Sequence, residues 1–312
     1  MAKNNNLHNA KRAKNDEFYT TRTSVERELC NYRDHFKGKV VYCNCDDPIE
    51  SEFYHYFSYK FEDLGLKKLI STGYKEDGHG VAYIYEGDKN GNRIPNIEEI
   101  ERYPLKGSGD FRSEECIEFL KEADIVVTNP PFSLFREYVA QLVEYGKEFL
   151  IVGNSNAITY KEIFPLIKEN KLWLGVSLNA TKCSFIVNED YDGKNVFYNN
   201  GVKYAKVNNA VWFTNLDHKK RHEELLLYKK YNTDEYPKYD NYDAIEVGKT
   251  KDIPMDYNGI IGVPITFMDK YCPTQFEIVG QMMTTKVTEF NFGYPYIDGK
   301  KKFARVLIKR IS

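Results

Sequence analysis

Short apolar runs alternate with helical patterns through the first two thirds of the chain. The runs KVVYCN, LKKLIST, DIVVT, EFLIVGN and KLWLGVS have the length and composition of buried strands. Helical patterns separate them; the first follows Thr23 or Ser24 as a cap and ends at Gly38. This alternation predicts an α/β fold with a mostly parallel, twisted, doubly wound sheet and helices on both faces.

The pattern changes near residue 216. The stretch KKRHEELLLYKKYNTDEYPKYDNYDAIEV is charged, rich in Tyr and without clear periodicity. The later runs IIGVPITFMDKY, QFEIVGQ and KKFARVLIKRI are typical of strands. We therefore predict an N-terminal arm at 1–15, a main domain at 16–216 and a separate C-terminal region at 217–312.

Charge changes this picture only locally. The 312 residues carry 44 Lys and Arg against 46 Asp and Glu, a net charge of -2, so the chain as a whole is not a polycation. Any surface for nucleic acid must therefore be confined to a patch. The arm at 1–15 is basic and contains no acid, which fits either a solvated terminus or a segment that contacts phosphates.

The cysteines and the hydropathy predict a compartment. None of the six cysteines forms a CxxC pair, and the CxC at Cys43 and Cys45 falls inside an apolar strand. This spacing does not suit a zinc site, so we expect reduced thiols, no metal and a cytoplasmic protein. No apolar run reaches the roughly 18 residues of a membrane span, and the polar N-terminus does not resemble a signal peptide.

The chemistry concentrates in the stretch ADIVVTNPPFSLFREYV, where a predicted strand meets a predicted helix. Prolines have a fixed φ and no N–H, and a residue that precedes proline is extended. The side-chain oxygen of Asn129 and the carbonyl of Pro130 can then face one point as paired acceptors, with the ring of Phe132 beside them. In a parallel sheet this point lies at the carboxyl edge, where ligands bind.

Two acceptors and a ring suit a planar base that bears an exocyclic amino group. The lone pair of such an amine is delocalised into the ring, so the amine is a poor nucleophile. Acceptors for both of its hydrogens favour tetrahedral nitrogen and free the lone pair to attack an electrophilic methyl group. In duplex DNA the base must first leave the stack. The alternative is an ordinary strand-to-helix turn with Asn as a cap.

The turn and its flanks resemble the catalytic motif of amino-group DNA methyltransferases. CNCDDP, GSGDFRSEE, DIVVTNPPFSLFREYVAQLV, NKLWLG, YPKYDNYDAI and KTKDIPMDYNG resemble the EcoRI-type DNA adenine methyltransferases, from DEFYT near residue 16 to beyond residue 250. This resemblance implies a Rossmann-like methyltransferase fold that uses S-adenosylmethionine (SAM), with a C-terminal DNA-recognition region. It further implies a monomer that methylates N6 of a flipped-out adenine in double-stranded DNA. The family's type member modifies the sequence GAATTC, and it is the modification enzyme of a restriction system.

The resemblance also implies site residues. The segment that closes over SAM corresponds to Asp16, Phe18, Tyr19 and Thr20, and the loop after the first strand to Asn44, Asp46 and Asp47. That loop lacks the usual GxG, so one of its acids is expected to hold the amino group of SAM. Asp110 and Phe111 correspond to the pair that binds the SAM adenine, and Asn129, Pro130 and Phe132 to the catalytic motif.

Several of these assignments have structural alternatives. DEFYT can be a capped helix start, Asp46-Asp47-Pro48 a helix N-terminus, and Asp110-Phe111 a cap with a core ring. The acid that binds the SAM ribose is Glu76 or Asp77, or neither. Trp212 or Phe213 supplies a second ring for the flipped adenine, or both belong to the core. The expected phosphate contacts are Lys11, Arg12, Lys14, Lys219, Lys220 and Arg221, for which a solvated face is the alternative.

Three rival functions remain. One is methylation of RNA or of a protein amide, because similar turns serve other nitrogens attached to sp2 carbon. Another is a DNA-binding protein with an inactive methyltransferase fold. The third combines restriction and modification in one polypeptide, for which 312 residues leave little room.

Overall fold

The structure is a computed structural model that describes residues 19–45, 47–75, 78–177, 184–187, 189, 191, 195–206 and 209–311. The described residues divide into two compact units. The first unit falls within 1–155 and 175–216, and the second within 156–174 and 217–312.

The elements are numbered along the chain. The strands are β1 Tyr19–Thr20, β2 Val40–Cys45, β3 Lys68–Gly73, β4 Val81–Tyr85, β5 Ile100–Pro104, β6 Ile125–Thr128, β7 Glu148–Asn154, β8 Trp173–Leu174, β9 Ser184–Ile186, β10 Val196–Asn199, β11 Val202–Lys206, β12 Ala210–Thr214, β13 Ala244–Glu246, β14 Ile260–Val263, β15 Phe276–Met282, β16 Tyr296–Ile297, β17 Lys300–Lys301 and β18 Arg305–Arg310. The α-helices are α1 Arg22–Leu29, α2 Glu52–Tyr59, α3 Phe61–Leu64, α4 Glu114–Glu122, α5 Phe135–Glu144 and α6 Phe164–Lys168. The 3₁₀ helices span Cys30–Phe36, Phe132–Leu134, Ser155–Thr159, Lys219–His222, Thr250–Asp252 and Ile265–Lys270.

A twisted mixed sheet forms the centre of the first unit. Within this unit its strands follow the order β5-β4-β3-β2-β6-β7-β12. The four central strands β3, β2, β6 and β7 are parallel to one another. Strand β4 runs antiparallel to β3, and β12 runs antiparallel to β7. The predicted α/β fold is confirmed. Because the chain passes from β2 to β3 on one side and later adds β6 on the other, the order reverses at β2 and β6.

Helices cover both faces of this sheet. Along α5 the residues Phe135, Tyr138, Val139 and Leu142 are buried, which is the apolar stripe that its sequence spacing predicts. On β12 Trp212 contacts Phe53 of α2, while its neighbour Phe213 contacts Phe135 of α5. Successive side chains of a strand point to opposite faces, so these two contacts show helices packed on each side. A second, smaller sheet has the order β1-β9-β11-β10.

The start of α2 differs from the prediction. Asp47 and Pro48 lie in a turn, and Ser51 is the helix cap, because its hydroxyl accepts the N–H of Tyr54 at 3.4 Å. The carboxylate of Asp47 instead accepts the N–H of Ile49 at 2.9 Å, and the Asp47 carbonyl accepts that of Ser51. Local hydrogen bonding by Asp therefore competes with the helix and delays it.

The second unit contains a sheet of the order β13-β14-β18-β15 and the hairpin of β16 and β17. The run IIGVPITFMDKY forms a strand only as far as Val263, because Pro264 ends it and a 3₁₀ helix follows. The buried ion pair between Arg305 and Glu246 joins β18 to β13 and receives a further hydrogen bond from the hydroxyl of Tyr239.

In the part of the chain that the structure describes, no helix is both long and apolar enough to cross a membrane. The same residues contain no group of three or more His, Cys, Asp or Glu side chains placed to hold a metal ion.

Candidate active site

The carboxyl ends of β2, β3 and β6 form the edge at which the strand order reverses. Asn44 near the end of β2 lies in register with Thr72 of β3, and Asn129 follows directly after β6. The edge therefore brings together the loop after the first strand and the NPPF turn, as the sequence predicts.

Asn44 is the centre of a buried hydrogen-bond network. The Thr128 hydroxyl donates to the backbone carbonyl of Asn44, and the Tyr138 hydroxyl donates to its side-chain Oδ1. Both donors are fully buried, and Asn44 is 4% exposed. Burial raises the pKa of the Tyr138 phenol well above its usual value, so the hydroxyl keeps its proton and remains a donor. The backbone of Asn44 is thereby tied to β6 and its side-chain amide to α5.

Cys45 turns the chain out of β2. Its φ of 77° lies in the left-handed region, which a side chain with a Cβ rarely adopts. The loop has no GxG, yet its backbone takes the conformation that glycine normally supplies. Strain of this kind costs about 1–3 kcal/mol and clusters at functional sites.

The loop after β2 packs on the end of β3. A Cβ added to Gly73 would lie 2.9 Å from Cδ of Pro48, so only glycine permits this approach. Here Asp47 keeps its carboxylate about one quarter exposed, with Lys75 Nζ 3.7 Å from its Oδ2. A partly exposed carboxylate therefore lies at the end of β3.

The segment that carries Asp110 and Phe111 reaches the same edge. Gly109 has a φ of 81°, and a Cβ there would lie 2.4 Å from the carbonyl oxygen of Gly73. The ring of Phe111 is 6% exposed and stands edge-on to Tyr138, with 5.0 Å between ring centroids. Phe111 therefore shares a contact with the network around Asn44, and little of its surface is open to a ligand.

Asp110 is held by a neighbouring arginine. Arg112 donates from Nε to Oδ1 at 2.9 Å and from Nη2 to Oδ2 at 2.6 Å, and its backbone N–H also donates to Oδ1. Hydrogen bonds from Arg112 hold the pKa of the Asp110 carboxyl below its usual value. The carboxylate is therefore ionised and fixed, and its 28% exposure leaves a side that can accept from a ligand.

The NPPF turn joins β6 to α5. Asn129 and Pro130 are buried and Phe132 is half-buried. The Pro131 carbonyl accepts the N–H of Leu134 at 3.0 Å and opens a 3₁₀ turn, after which the α-helix begins at Phe135. The turn's own hydrogen bond thus uses the carbonyl of Pro131 and not that of Pro130.

Trp212 and Phe213 are core residues in this structure. They are 3% and 0% exposed and point to opposite faces of the sheet, so they cannot both face one base. Their burial favours the core alternative over base stacking. Thr20 is buried as well, and together with Trp212 it lines a small apolar pocket.

The basic group before residue 222 is largely engaged within the second unit. Lys220 pairs with Asp269, and the Arg221 guanidinium lies 3.6 Å from the centroid of the Trp173 ring. Burial lowers the pKa of Arg221. Lys219 is exposed. The predicted phosphate contacts of these three residues stay a prediction, with Lys219 the most accessible.

Other predicted site residues lie outside the described part of the chain. They are Lys11, Arg12, Lys14, Asp16, Phe18, Asp46, Glu76 and Asp77, and the side chain of Tyr19 is also outside it.

Two residues of the site, Tyr138 and Arg112, were not predicted from the sequence. Tyr138 falls on the apolar stripe of α5 and reads as an ordinary core position, because its partner Asn44 is 94 residues away. Arg112 stands two residues after Asp110, and a short-range pairing of acid and arginine was the signal that could have revealed it.

Comparison with known proteins extends over nearly the whole chain. The family model of the adenine-specific methyltransferase EcoRI matches residues 6–311. The Type II methyltransferase M.EcoRI of Escherichia coli is 50% identical over 321 aligned residues, which cover 99% of this chain and 97% of that protein. M.MgeORF184P of Mycoplasma genitalium and M.MpnI of Mycoplasma pneumoniae, both Type II methyltransferases, are 40% and 39% identical, over 96% of this chain and 97% of each relative. No solved structure matches the chain.

Proposed function

Because the chain belongs to the family of adenine-specific EcoRI methyltransferases, we propose that it transfers a methyl group from SAM to N6 of a flipped-out adenine in double-stranded DNA. The enzyme class, an adenine-specific methyltransferase, follows from the family. The cofactor, the duplex substrate and the residue roles are the content of the proposal.

The residues at the carboxyl edge fit SAM. The cofactor has an amino group at each end, one on its adenine and one on its methionine part, and each needs an acceptor. Asp110 is an ionised, partly exposed carboxylate next to Phe111 in the chain, which suits the adenine end. Asp47 and the fixed Asn44 suit the methionine end. When bound, SAM supplies an electrophilic methyl group on a positively charged sulfur.

The chain's part in the chemistry is to hold the adenine amine. We propose that the Asn129 side-chain oxygen and the Pro130 carbonyl each accept one hydrogen of the adenine amine. The nitrogen then becomes tetrahedral, and its lone pair is available. The half-buried ring of Phe132 packs on the base. Preorganised acceptors of this kind act without a strong base, because the proton is lost only after the new bond has formed.

The observation that carries the proposal is the bond from the Thr128 hydroxyl to the Asn44 carbonyl. It ties the last residue of β6, immediately before Asn129, to the strand end that we assign to the cofactor. Both ends are buried. Acceptor and cofactor are therefore held on one rigid frame, which a near-attack geometry requires.

We propose GAATTC as the target sequence and protection against a cognate nuclease as the biological role. The support is the similarity to M.EcoRI, which covers 99% of this chain, including the second unit. Base-reading residues in such a unit set the specificity.

The test is methyl transfer from labelled SAM to two duplex oligonucleotides, one with GAATTC and one with this site scrambled. Asn129→Ala should lower kcat by about 10²- to 10³-fold, the usual effect of removing one preorganised polar group. Its affinity for SAM should stay unchanged. Asn31→Ala, at an exposed helix position, is the matched control and should retain full activity.

Each outcome has a distinct meaning. Incorporation only into the GAATTC duplex supports both the chemistry and the sequence. Incorporation into the scrambled duplex keeps the chemistry and rejects this target. SAM binding without transfer to any DNA rejects the proposed function in favour of an RNA or protein substrate or of an inactive fold.

A further inference from the structure

A lysine-rich hairpin stands out in the second unit. Strands β16 and β17 are joined by Asp298 and Gly299, whose φ values of 52° and 70° match a two-residue turn of type I′. Lys300, Lys301 and Lys302 follow in succession, and then Phe303. The side chain of Phe303 is 85% exposed, which is unusual for an aromatic ring.

The turn of the hairpin is rigid. Both oxygens of the Asp240 carboxylate accept backbone N–H groups of the turn, from Asp298 at 3.0 Å and from Gly299 at 2.8 Å. The Asp240 N–H donates to the carbonyl of Tyr296 at 2.8 Å, and Ile297 is buried. The lysines are therefore presented from a fixed backbone.

The backbone at Phe303 is also fixed, by the side chain of Arg305. Nη1 of Arg305 donates to the carbonyls of Phe303 and Ala304 at 3.3 Å and 3.1 Å. The same guanidinium forms the buried ion pair with Glu246, whose carboxylate accepts the hydroxyl of Tyr239 as well. A buried charged network thus fixes the backbone that presents this apolar ring to solvent. Exposure of the ring contributes no hydrophobic stabilisation to the fold.

The charge of the hairpin is not neutralised locally. Within the described residues, no carboxylate comes within 4.0 Å of the ammonium groups of Lys300, Lys301 and Lys302. Lys301 lies over the ring of Tyr294 instead, with Nζ 3.2 Å from the centroid. This differs from Lys220, which is paired with Asp269.

Another exposed apolar side chain of this unit has different surroundings. Leu226 is 95% exposed, but it follows Glu223 and Glu224 closely in the chain. The two glutamates before Leu226 repel a polyanion, whereas the three lysines directly before Phe303 attract one. Phe303 therefore differs from Leu226 in following three consecutive lysines.

We propose that residues 296–303 form a DNA-contacting element, in which Lys300 and Lys301 bind phosphates and the Phe303 ring packs on bases of the duplex. Free lysines match phosphate oxygens, and an exposed aromatic ring on a rigid support gains surface contact only when a base or sugar covers it. This inference rests on the proposed function, because it takes duplex DNA as the substrate. It moves the main contact of the second unit from the group at 219–221 to this hairpin.

The experiment measures binding of the full chain to a labelled GAATTC duplex by fluorescence anisotropy at several salt concentrations. Replacing Lys300 and Lys301 by Gln should reduce the slope of log K against log salt by about 1.8, since each phosphate contact contributes about 0.9. The control replaces Lys37 and Lys67 by Gln. These residues precede β2 and β3, at the edge of the first sheet opposite the candidate active site, so the slope should not change.

The ring is tested separately. Phe303→Ala should weaken duplex binding by roughly 5- to 150-fold, the range seen when one aromatic contact to a base is lost. Phe303→Tyr keeps the stacking face and should remain close to the wild type. Because the side chain is exposed, the unfolding midpoint of both variants should stay that of the wild type.

The outcomes separate this inference from the proposed function. If the wild type methylates the duplex and the hairpin variants bind it with unchanged affinity and salt slope, the inference is wrong and the proposed function stands. If the wild type binds no duplex DNA, both are wrong. If the lysine variant has the reduced slope of log K against log salt while Phe303→Ala binds with wild-type affinity, the contact of the ring with bases is rejected.

Discussion

Removal of the Tyr138 hydroxyl is the sharpest perturbation of the candidate site. Tyr138→Phe deletes one oxygen and leaves the ring against Phe111 in place. The hydroxyl donates to Asn44 Oδ1 in a fully buried setting. The one other donor to this oxygen in the described structure is the thiol of Cys45, 3.5 Å away and a weak donor. The variant therefore leaves a buried acceptor without a strong partner.

The size of the effect follows from this geometry. A buried hydrogen bond contributes about 0.5–1.5 kcal/mol net, but an acceptor left without a partner costs about 1–3 kcal/mol. We expect Tyr138→Phe to lower the free energy of unfolding by about 1–3 kcal/mol. Because the Asn44 amide is no longer fixed, the affinity for SAM should fall by roughly fivefold, which corresponds to about 1 kcal/mol.

The assay is urea unfolding combined with a double-mutant cycle. Asn44→Ala removes the acceptor, so Tyr138→Phe should cost little in that background, and the coupling energy should be about 0.5–3 kcal/mol. Tyr42→Phe is the matched control. Its hydroxyl lies 2.7 Å from the Thr72 hydroxyl in the same buried sheet, and its loss should leave the affinity for SAM unchanged.

The reasoning is refuted if the two substitutions are additive within about 0.3 kcal/mol, since residues in one hydrogen bond do not behave independently. A loss of SAM affinity in Tyr42→Phe as large as in Tyr138→Phe would also refute it. In that case the effect would come from general loosening of the sheet and not from the position of Asn44.

Three further predictions concern the same edge. The pKa of Asp110 is lower in the folded than in the unfolded chain. The ion pair with Arg112 therefore contributes fully to the free energy of unfolding above the unfolded-state pKa of about 3.9, and this contribution is lost as the pH falls through the folded-state pKa. The difference in urea midpoint between wild type and Arg112→Gln should therefore be constant near neutral pH and narrow in acid; a gap that widens in acid contradicts this. Cys45→Gly should raise the free energy of unfolding by up to about 1 kcal/mol, because glycine adopts that φ without strain, and Cys45→Val should lower it by about 1–3 kcal/mol, because a β-branched residue tolerates that φ less well than cysteine. Gly109→Ala should lower the thermal midpoint by several degrees and weaken SAM binding, because its Cβ would lie 2.4 Å from the Gly73 carbonyl oxygen, whereas Gly107→Ala, with open space around it, is the control.

The strands of the first unit could be predicted from the sequence because their signals are local. A run such as EFLIVGN carries its own β-branched, apolar composition, and the strand β7 has the same limits. The turn after β6 was equally accessible, since two prolines fix their own backbone whatever surrounds them.

The contacts that build the site could not be predicted in the same way. Thr128 and Tyr138 meet Asn44 across 84 and 94 residues, and those distances close only once the strand order is known. The start of α2 was mispredicted for a different reason: the side chain of Asp47 forms a local hydrogen bond that competes with the helix, and the sequence does not show which of the two prevails. The order β13-β14-β18-β15 of the second unit also depends on distant pairing.

The missing GxG shows how one geometry can arise from a different distribution of residues. A glycine-rich loop lets the backbone turn sharply and lets neighbouring segments approach. Here Cys45 makes the turn at the cost of strain, and the close approach is supplied from the other side, by Gly73 at the end of β3 and by Gly109 above it. A motif search confined to the first loop misses this arrangement, because its glycines are 28 and 64 positions further along the chain, at 73 and 109 against 45. In such a site, the glycines that allow close approach should be sought near the carboxyl end of every strand at this edge of the sheet, and not only in the loop after the first strand.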